Sequence, residues 1–305
     1  MSGIILVPIC LALGFFLRRR KVFSEHSTLA LNAFVTYVSL PALIFLKIHD
    51  MAHSGLVFSQ MWLPISMAWI QFGISFLIFW ISIKIFKQST QTSGALLLAI
   101  GLGNTSFVGF PMLEALYGKS ALATGILVDQ PGTFLVLSTL GVLSASIISR
   151  RTGEPILRRI LYFPPFLAMI SGFALASFTM PDILASLLDK LGSTLIPIAL
   201  VSVGAQLRLD PQRIRARGKI LTLGLLAKLI LIPAIMAFLY LKIFPYQAQV
   251  SEIIITESAM ASMVTGGVLA SEFGFDAELS SLMVGLGIPI SILSAPLWAK
   301  GLHFI

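Results

Sequence analysis

The chain has 305 residues, 57% of them hydrophobic and 11% charged, with a mean hydropathy of +0.95. Soluble domains carry about 25% charged residues, so a water-soluble globular fold is excluded, and the net charge of +8 is not a nucleic-acid signal. Cys10 is the single cysteine, which rules out an internal disulfide and argues against a zinc or redox centre.

Apolar runs near 20 residues recur along the whole length, the pattern of a polytopic helical membrane protein with ten spans. The first span covers residues 3–17. It is followed, not preceded, by Arg18, Arg19, Arg20 and Lys21. A signal peptide carries its positive charges ahead of the apolar core, so this run reads as a membrane helix with the N-terminus outside. The second span covers 28–47 and contains Pro41; His49 and His53 are expected in an exposed loop after it. The third covers 61–83 and ends at Lys84 and Lys87.

The fourth span, 95–117, is different. Gly101, Gly103, Gly109 and Pro111 punctuate it, and Asn104, Thr105 and Ser106 put three polar side chains in its middle. Pro111 lacks an amide hydrogen and clashes with the carbonyl four residues back, which predicts a break at this point. Broken helices at membrane depth survive only where protein or a water-filled cavity covers them. In paired form they mark the substrate site of many carriers; the plainer alternative is a proline kink.

The fifth span, 121–148, holds Asp129, Gln130 and Pro131, and a basic loop with Arg150, Arg151, Arg158 and Arg159 follows. The sixth and seventh cover 163–178 and 187–206, before a second basic loop with Arg208, Arg213, Arg215, Arg217 and Lys219. The eighth, 220–243, contains Lys228; the ninth and tenth cover 252–273 and 277–300. The loops after the odd-numbered spans hold 15 of the 21 Lys and Arg residues, and the other side holds Lys47, Lys119, Lys190, Lys242 and Lys300. That bias predicts both termini outside a plasma or inner membrane.

The two halves, 1–150 and 151–305, echo each other. Pro8 and Pro164 lie 156 residues apart, as do Pro41 and Pro197, Phe107-Val108 and Met263-Val264, Leu113 and Leu269, and Tyr117-Gly118 and Phe273-Gly274. Pro131 and Pro289 match with a two-residue slip. A fixed long period points to duplication. Five spans per half is an odd number, so the second copy is inverted in the membrane. The second break then falls on 261–267, with Gly267 where Pro111 stands in the first copy and a milder bend expected.

The stretch Leu31-Asn32-Ala33-Phe34-Val35-Thr36-Tyr37-Val38-Ser39-Leu40-Pro41 resembles helix 2 of the auxin efflux carrier family. Asn104 to Pro111 and Leu127-Val128-Asp129-Gln130 are similar to that family too, and the likeness runs over essentially the whole chain. The resemblance extends to the wider superfamily of bile acid, arsenite and riboflavin transporters. It implies an all-α integral membrane protein with ten transmembrane helices as two inverted five-helix repeats. Scaffold helices 1, 2, 6 and 7 would carry a transport half made of helices 3–5 and 8–10, with broken helices 4 and 9 crossing in an elevator-type carrier. It also implies a homodimer in a lipid bilayer and substrates such as malonate, malate or auxin-like weak acids. Gly267 departs from the family pattern, where a proline is common at the second crossover.

Free amides at the start of each second half-helix favour a carboxylate, and free carbonyls at the end of each first half favour a cation. The candidate substrate set is therefore Asn104, Thr105, Ser106 and Pro111 with Ser262, Thr265, Gly266 and Gly267. Asn104 is expected to contact substrate, to cap the break, or to do both. Carboxylates inside apolar spans are costly and usually functional or paired. Asp129 and Gln130 are thus candidates for a coupling site with Asn104 and Thr105, the alternative for Asp129 being a structural hydrogen bond or a pair with Lys228. Glu257 resembles in placement the cation-binding glutamate of the bile acid sodium symporters, or else lies at the membrane edge. Glu114 is expected to line an outward vestibule or pair with Lys119. No cofactor is expected, and a coupling proton or a sodium ion at Asn104, Asp129 and Glu257 is the only ion this set implies.

The expected function is secondary active transport of small organic anions, with a gated channel or uncoupled facilitator as the alternative. A membrane enzyme is disfavoured because no metal-binding H-E-x-x-H motif or Ser–His arrangement is present.

Overall fold

Backbone amides and carbonyls in a bilayer must find partners within the protein, and helices satisfy nearly all of theirs locally. The structure, a computed structural model, describes residues 2–53, 61–153, 155–207, 210–245 and 247–301. Among them the chain is helical, with a single isolated β-bridge and no sheet.

In chain order the helices are α1 (Ser2–Arg19), α2 (His26–His53), α3 (Trp62–Lys84), α4 (Thr90–Gly101), α5 (Phe110–Tyr117) and α6 (Ala121–Ser149). Then come α7 (Ile156–Leu161), α8 (Pro164–Ala174), α9 (Asp182–Gln206), α10 (Pro211–Ile243), α11 (Ala248–Ser258), α12 (Val264–Glu272) and α13 (Ala277–Gly301). Six of these, α2, α3, α6, α9, α10 and α13, are long and apolar enough to cross a membrane unaided. Large apolar side chains such as Ile5, Ile9 and Leu13 on α1 and Leu293 and Leu297 on α13 face outward. Apolar exposure on this scale belongs against lipid, not water.

Four of the prolines inside the spans are accommodated by wide turns, whereas Pro8, Pro289 and Pro296 lie in plain α-helix. The π-helical segments Val35–Ser39, Thr105–Gly109 and Ala227–Leu231 each end two residues before a proline, at Pro41, Pro111 and Pro233. Pro131 lies within a fourth, Asp129–Phe134. A π-turn moves the hydrogen-bond acceptor one residue further back, which relieves the proline ring of its clash with the preceding carbonyl.

This corrects the expected role of Pro111. Helical bonding continues through it from Thr105 to Tyr117, and the interruption lies upstream, at 102–104. The second interruption covers 259–263, so Gly266 and Gly267 sit inside α12 and do not unwind it. Gly118 and Gly274, which close α5 and α12, are the two glycines among the described residues with positive φ, at 83° and 71°.

Two further expectations change. Asp210 caps α10, its Oδ1 accepting from the Gln212 amide at 3.0 Å, and Pro211 occupies the first turn. Arg213, Arg215, Arg217 and Lys219 therefore ride on a helix and not in a loop; Arg208 lies outside the described residues. His49 is buried in α2, not exposed, because its Nε2 reaches the Phe178 carbonyl at 2.9 Å. Its ring stacks on His53, which is exposed as expected but likewise in α2, at 5.9 Å.

Three buried apolar clusters hold the helices together. One joins α3, α4, α10, α11 and α13 through Phe72, Leu98, Met236, Ile254 and Met283. Another joins α2, α6, α8 and α9 through Leu43, Ile126, Met169 and Leu195. The third runs from Val7 on α1 through Leu200 on α9 to Ile288 on α13. The α1–α9 contact depends on two glycines. A Cβ at Gly14 would collide with the Val201 carbonyl, and one at Gly204 with the Leu11 carbonyl. Small residues allow such backbone contact, which is how helices associate without a hydrophobic driving force.

Gly14→Ala is therefore expected to lower stability by about 1–3 kcal/mol through overpacking against backbone. Gly73→Ala, where an added Cβ meets nothing within 4 Å, should leave the melting temperature of purified protein unchanged or slightly higher. Equal melting temperatures for the two variants would remove the close-contact account.

Candidate functional site

The two interruptions meet. Leu102, Gly103 and Asn104 pair antiparallel with Ala261, Ser262 and Met263, centred on the Gly103–Ser262 bridge. The Asn104 amide donates to the Ala261 carbonyl at 2.8 Å, and the Met263 amide donates to the Leu102 carbonyl at 3.0 Å. Leu102, Ala261 and Ser262 are buried. Each gap in helical bonding thus satisfies part of the other, as membrane depth requires.

The chain turns helical again at Thr105 and at Val264. Neither new helix start has a side-chain cap, so amides there remain available beside a cavity of about 150 Å3. Asn104 and Ser106 line that cavity from the first crossing element, Met263, Val264 and Thr265 from the second. Asn104 is 3% exposed and its Nδ2 has no partner. Its side chain makes no capping hydrogen bond at the helix start.

Asp129 and Gln130, at the π-turn of α6, form another wall. Asp129 Oδ1 accepts from Thr105 Oγ1 at 2.5 Å, and Oδ2 accepts from Gln130 Nε2 at 2.6 Å. The Gln130 carbonyl oxygen is buried without a partner. Asp129 makes no ion pair with Lys228 among the described residues, so of its two structural alternatives the hydrogen bond is the one present.

Glu257 and Lys228 sit together behind the crossing and do not line the cavity. Both are fully buried. Lys228 Nζ donates to the Ser258 carbonyl at 3.0 Å, the last residue of α11. An ammonium at the carbonyl end of a helix is favourably placed against its dipole. Glu257 accepts no hydrogen bond through either oxygen, and its carboxylate lies where a Cβ on Gly109 would fall. Two ionisable groups share one dry site with most of their bonding capacity unused, an expensive arrangement in a low-dielectric interior.

The other candidates are distributed. Thr105 is committed to Asp129, Ser262 is buried at the bridge with its hydroxyl unpartnered, and Pro111 is buried inside α5. Gly266 faces Leu102, where a Cβ would sit 3.4 Å from Leu102 Cδ1. Gly267 lines a second cavity, of about 420 Å3, that reaches Arg18. Glu114 lines a separate cavity of about 290 Å3 with Lys47, Lys119 and Asp189. Among the described residues no cluster of three His, Cys, Asp or Glu could hold a metal ion.

Sequence reasoning missed the opposite wall. Asn32 and Thr36 of α2 and Gln206 of α9 face the crossing across the cavity, and Phe134 stacked on Phe163 at 4.1 Å borders it. Asn32 Oδ1 accepts from Ser202 Oγ at 2.6 Å and from Gln206 Nε2 at 3.4 Å. The signal was there in weak form, since Asn32 and Gln206 are polar residues within apolar spans.

Residues 1–299 match the membrane transport protein family. An uncharacterized transporter of Methanocaldococcus jannaschii is 25% identical over 303 residues, 98% of this chain and 97% of that protein. One from Methanothermobacter thermautotrophicus is 27% identical over 294 residues, 96% and 95% of the two chains. An uncharacterized transporter of Escherichia coli is 28% identical over 122 residues, covering 40% of this chain and 38% of its own.

The crossing makes a graded steric prediction. An alanine at 103 places its Cβ 3.5 Å from Lys228 Nζ, an ordinary contact, whereas one at 109 displaces the Glu257 carboxylate. Gly109→Ala should destabilise the protein by about 1–3 kcal/mol and Gly103→Ala far less. In a Glu257→Ala background the Gly109→Ala cost should largely vanish. Thermal unfolding of the double-mutant cycle measures it, and additive costs would contradict the contact.

Proposed function

The chain belongs to the membrane transport protein family, and from that premise we propose that it is a secondary carrier of small organic anions working by alternating access. The observation that carries the reading is the unpartnered, buried Asn104 Nδ2 in a cavity flanked by two uncapped helix starts. An amide donor and two positive dipole ends converge on one small volume, which suits a carboxylate. A compact mono- or dicarboxylate of the malonate or malate kind, or an auxin-like weak acid, fits that chemistry.

The same reading treats the architecture as ten spans in two inverted halves. The six long helices, α1 and α8, and the interrupted pairs α4–α5 and α11–α12 supply the count. The matching positive-φ glycines at 118 and 274, 156 residues apart, support the duplication. The first apolar cluster draws its buried residues from α3, α4, α6 and α10 to α13 and none from α1, α2, α8 or α9, which supports a scaffold of those four against a moving bundle carrying the crossing, and we extend it to a homodimer through the scaffold.

Access is one-sided. The site cavity and the cavity reaching Arg18 share Gln206 and Val264. The cavity at Lys47, Glu114 and Lys119 shares no lining residue with the site, and Phe110 between them is fully buried. With the Arg18 side cytoplasmic, this is an inward-facing state.

For coupling, the reading favours a proton at Asp129 over sodium. The Lys228 amine already occupies the carbonyl end of α11, where a sodium ion would otherwise be held. Asp129 touches the cavity, the first crossing helix and α6 at once, so its protonation can bias the two access states differently, as coupling requires.

Asn104→Ala should weaken substrate binding by roughly 5- to 150-fold, the equivalent of about 1–3 kcal/mol per lost donor, with melting temperature near wild type. Binding isotherms against a panel of carboxylates test this, and wild-type affinity throughout would refute an Asn104 substrate contact. Asp129→Asn keeps the shape of a protonated carboxyl but cannot titrate. In proteoliposomes it should retain substrate exchange and lose accumulation driven by a pH gradient, and wild-type uptake should not require sodium. Accumulation by Asp129→Asn equal to wild type would make that residue structural, and sodium-dependent uptake would move coupling away from the proton.

A further inference from the structure

Away from the crossing, α3 and α10 stand apart and leave an apolar groove of about 560 Å3 with α4 as its floor. Leu96 and Ile100 form that floor, and Leu226, Ile230 and Leu231 at its rim are exposed. Along α10 the groove runs from Ile220 to Ala234, about 21 Å at roughly 1.5 Å per residue. That exceeds half of a hydrocarbon core about 30 Å thick.

The groove ends in a different chemistry. Phe86, Ile220 and Leu223 are shared with a cavity of about 230 Å3 that is also lined by Gln88, Arg217 and Lys219. Arg217 is held by Asp276, Nη1 to Oδ2 at 3.2 Å. Lys219 is exposed and has no ion-pair partner among the described residues. A long apolar channel therefore terminates at an ammonium with no ion-pair partner among the described residues, beside the Gln88 amide, whose Nε2 also donates to the Phe86 carbonyl at 3.2 Å.

We propose that this composite groove is a binding site for an anionic phospholipid. One acyl chain lies on α4, and the phosphate meets Lys219 and Gln88 beside Arg217. Charge and polarity match along the whole length: apolar against chain, cationic against head group. Basic pockets at the ends of membrane helices select anionic head groups in this way. An isologous second copy of this chain fits less well, since it would bring its own Arg217 and Lys219 against these. The lipid would rest on α4, the half-helix whose end, Gly101, leads directly into the crossing. Occupancy of the groove therefore restrains the element that positions Asn104. The inference requires only a membrane-spanning protein and is independent of the substrate and of the coupling ion.

Native mass spectrometry of the full chain from mixed micelles with equal phosphatidylglycerol and phosphatidylcholine tests it. Wild type should retain phosphatidylglycerol in preference. Lys219→Gln, an exposed change that leaves the fold intact, should cut that preference about 5-fold, equivalent to about 1 kcal/mol for one lysine. Ala234→Phe, which fills the deep end of the groove without altering charge, should reduce retention of both lipids. Equal retention of the two lipids by wild type, or an unchanged preference in Lys219→Gln, would overturn the proposal. So would thermal protection by glycerol 3-phosphate equal to that by phosphatidylglycerol, which would leave a free-phosphate site. Loss of a dimer in Ala234→Phe with lipid retention unchanged would assign the groove to a second copy.

Discussion

Two backbone hydrogen bonds, from the Asn104 amide to the Ala261 carbonyl and from the Met263 amide to the Leu102 carbonyl, make the rest of the centre possible. Unwinding a helix in a bilayer costs several kcal/mol for each polar group left bare. Two gaps placed against each other share that cost. The pairing is short, so it satisfies only the strand-like residues and leaves the following helix starts open. Those open amides, the Asn104 side chain and the Thr105–Asp129 bond all follow from where the pairing stops.

The polar groups divide by which side of the crossing they occupy. On the cavity side, Asn104, Ser106, Asp129, Gln130 and Thr265 face space that a solute could fill. Behind it, Glu257 and Lys228 are enclosed, with one hydrogen bond to the Ser258 carbonyl between them. The first group leaves one donor, Asn104 Nδ2, and one acceptor, the Gln130 side-chain oxygen, without a partner. The second holds charge in a dry interior, where a buried group without its partners is strongly destabilising.

Much of the layout was legible because it rests on composition and local chemistry. Runs of apolar residues gave the long helices, and family membership agreed with the likeness seen in the 31–41 and 104–111 stretches. The helix interruption near Asn104 is legible from the polar and glycine residues inside an apolar span, but Pro111 is not its breaker. Pro111 is absorbed by the π-turn ahead of it, while residues 102–104 open because they have a partner 159 residues away at Ser262. Single-span reasoning has no access to that partner. His49 was misplaced for the same cause, since its acceptor, the Phe178 carbonyl, lies 129 residues on. Asn32 and Gln206 reach the site only through the packing of α2 and α9, which no periodicity reveals.

The wide turns ahead of the prolines have an effect beyond sparing a hydrogen bond. A π-turn holds about one residue more than an α-turn, so it rotates everything after it by about 100° relative to an uninterrupted helix. Asp129 and Lys228 each lie within such a turn. What faces inward downstream of 129 or 228 is thus set by a counted residue, a phase offset written into the chain. Family members can exchange side chains around these turns and keep the offset. Dropping one residue would turn a whole face of α6 or α10 from protein towards lipid, so gaps in these spans should be rarer among relatives than substitutions.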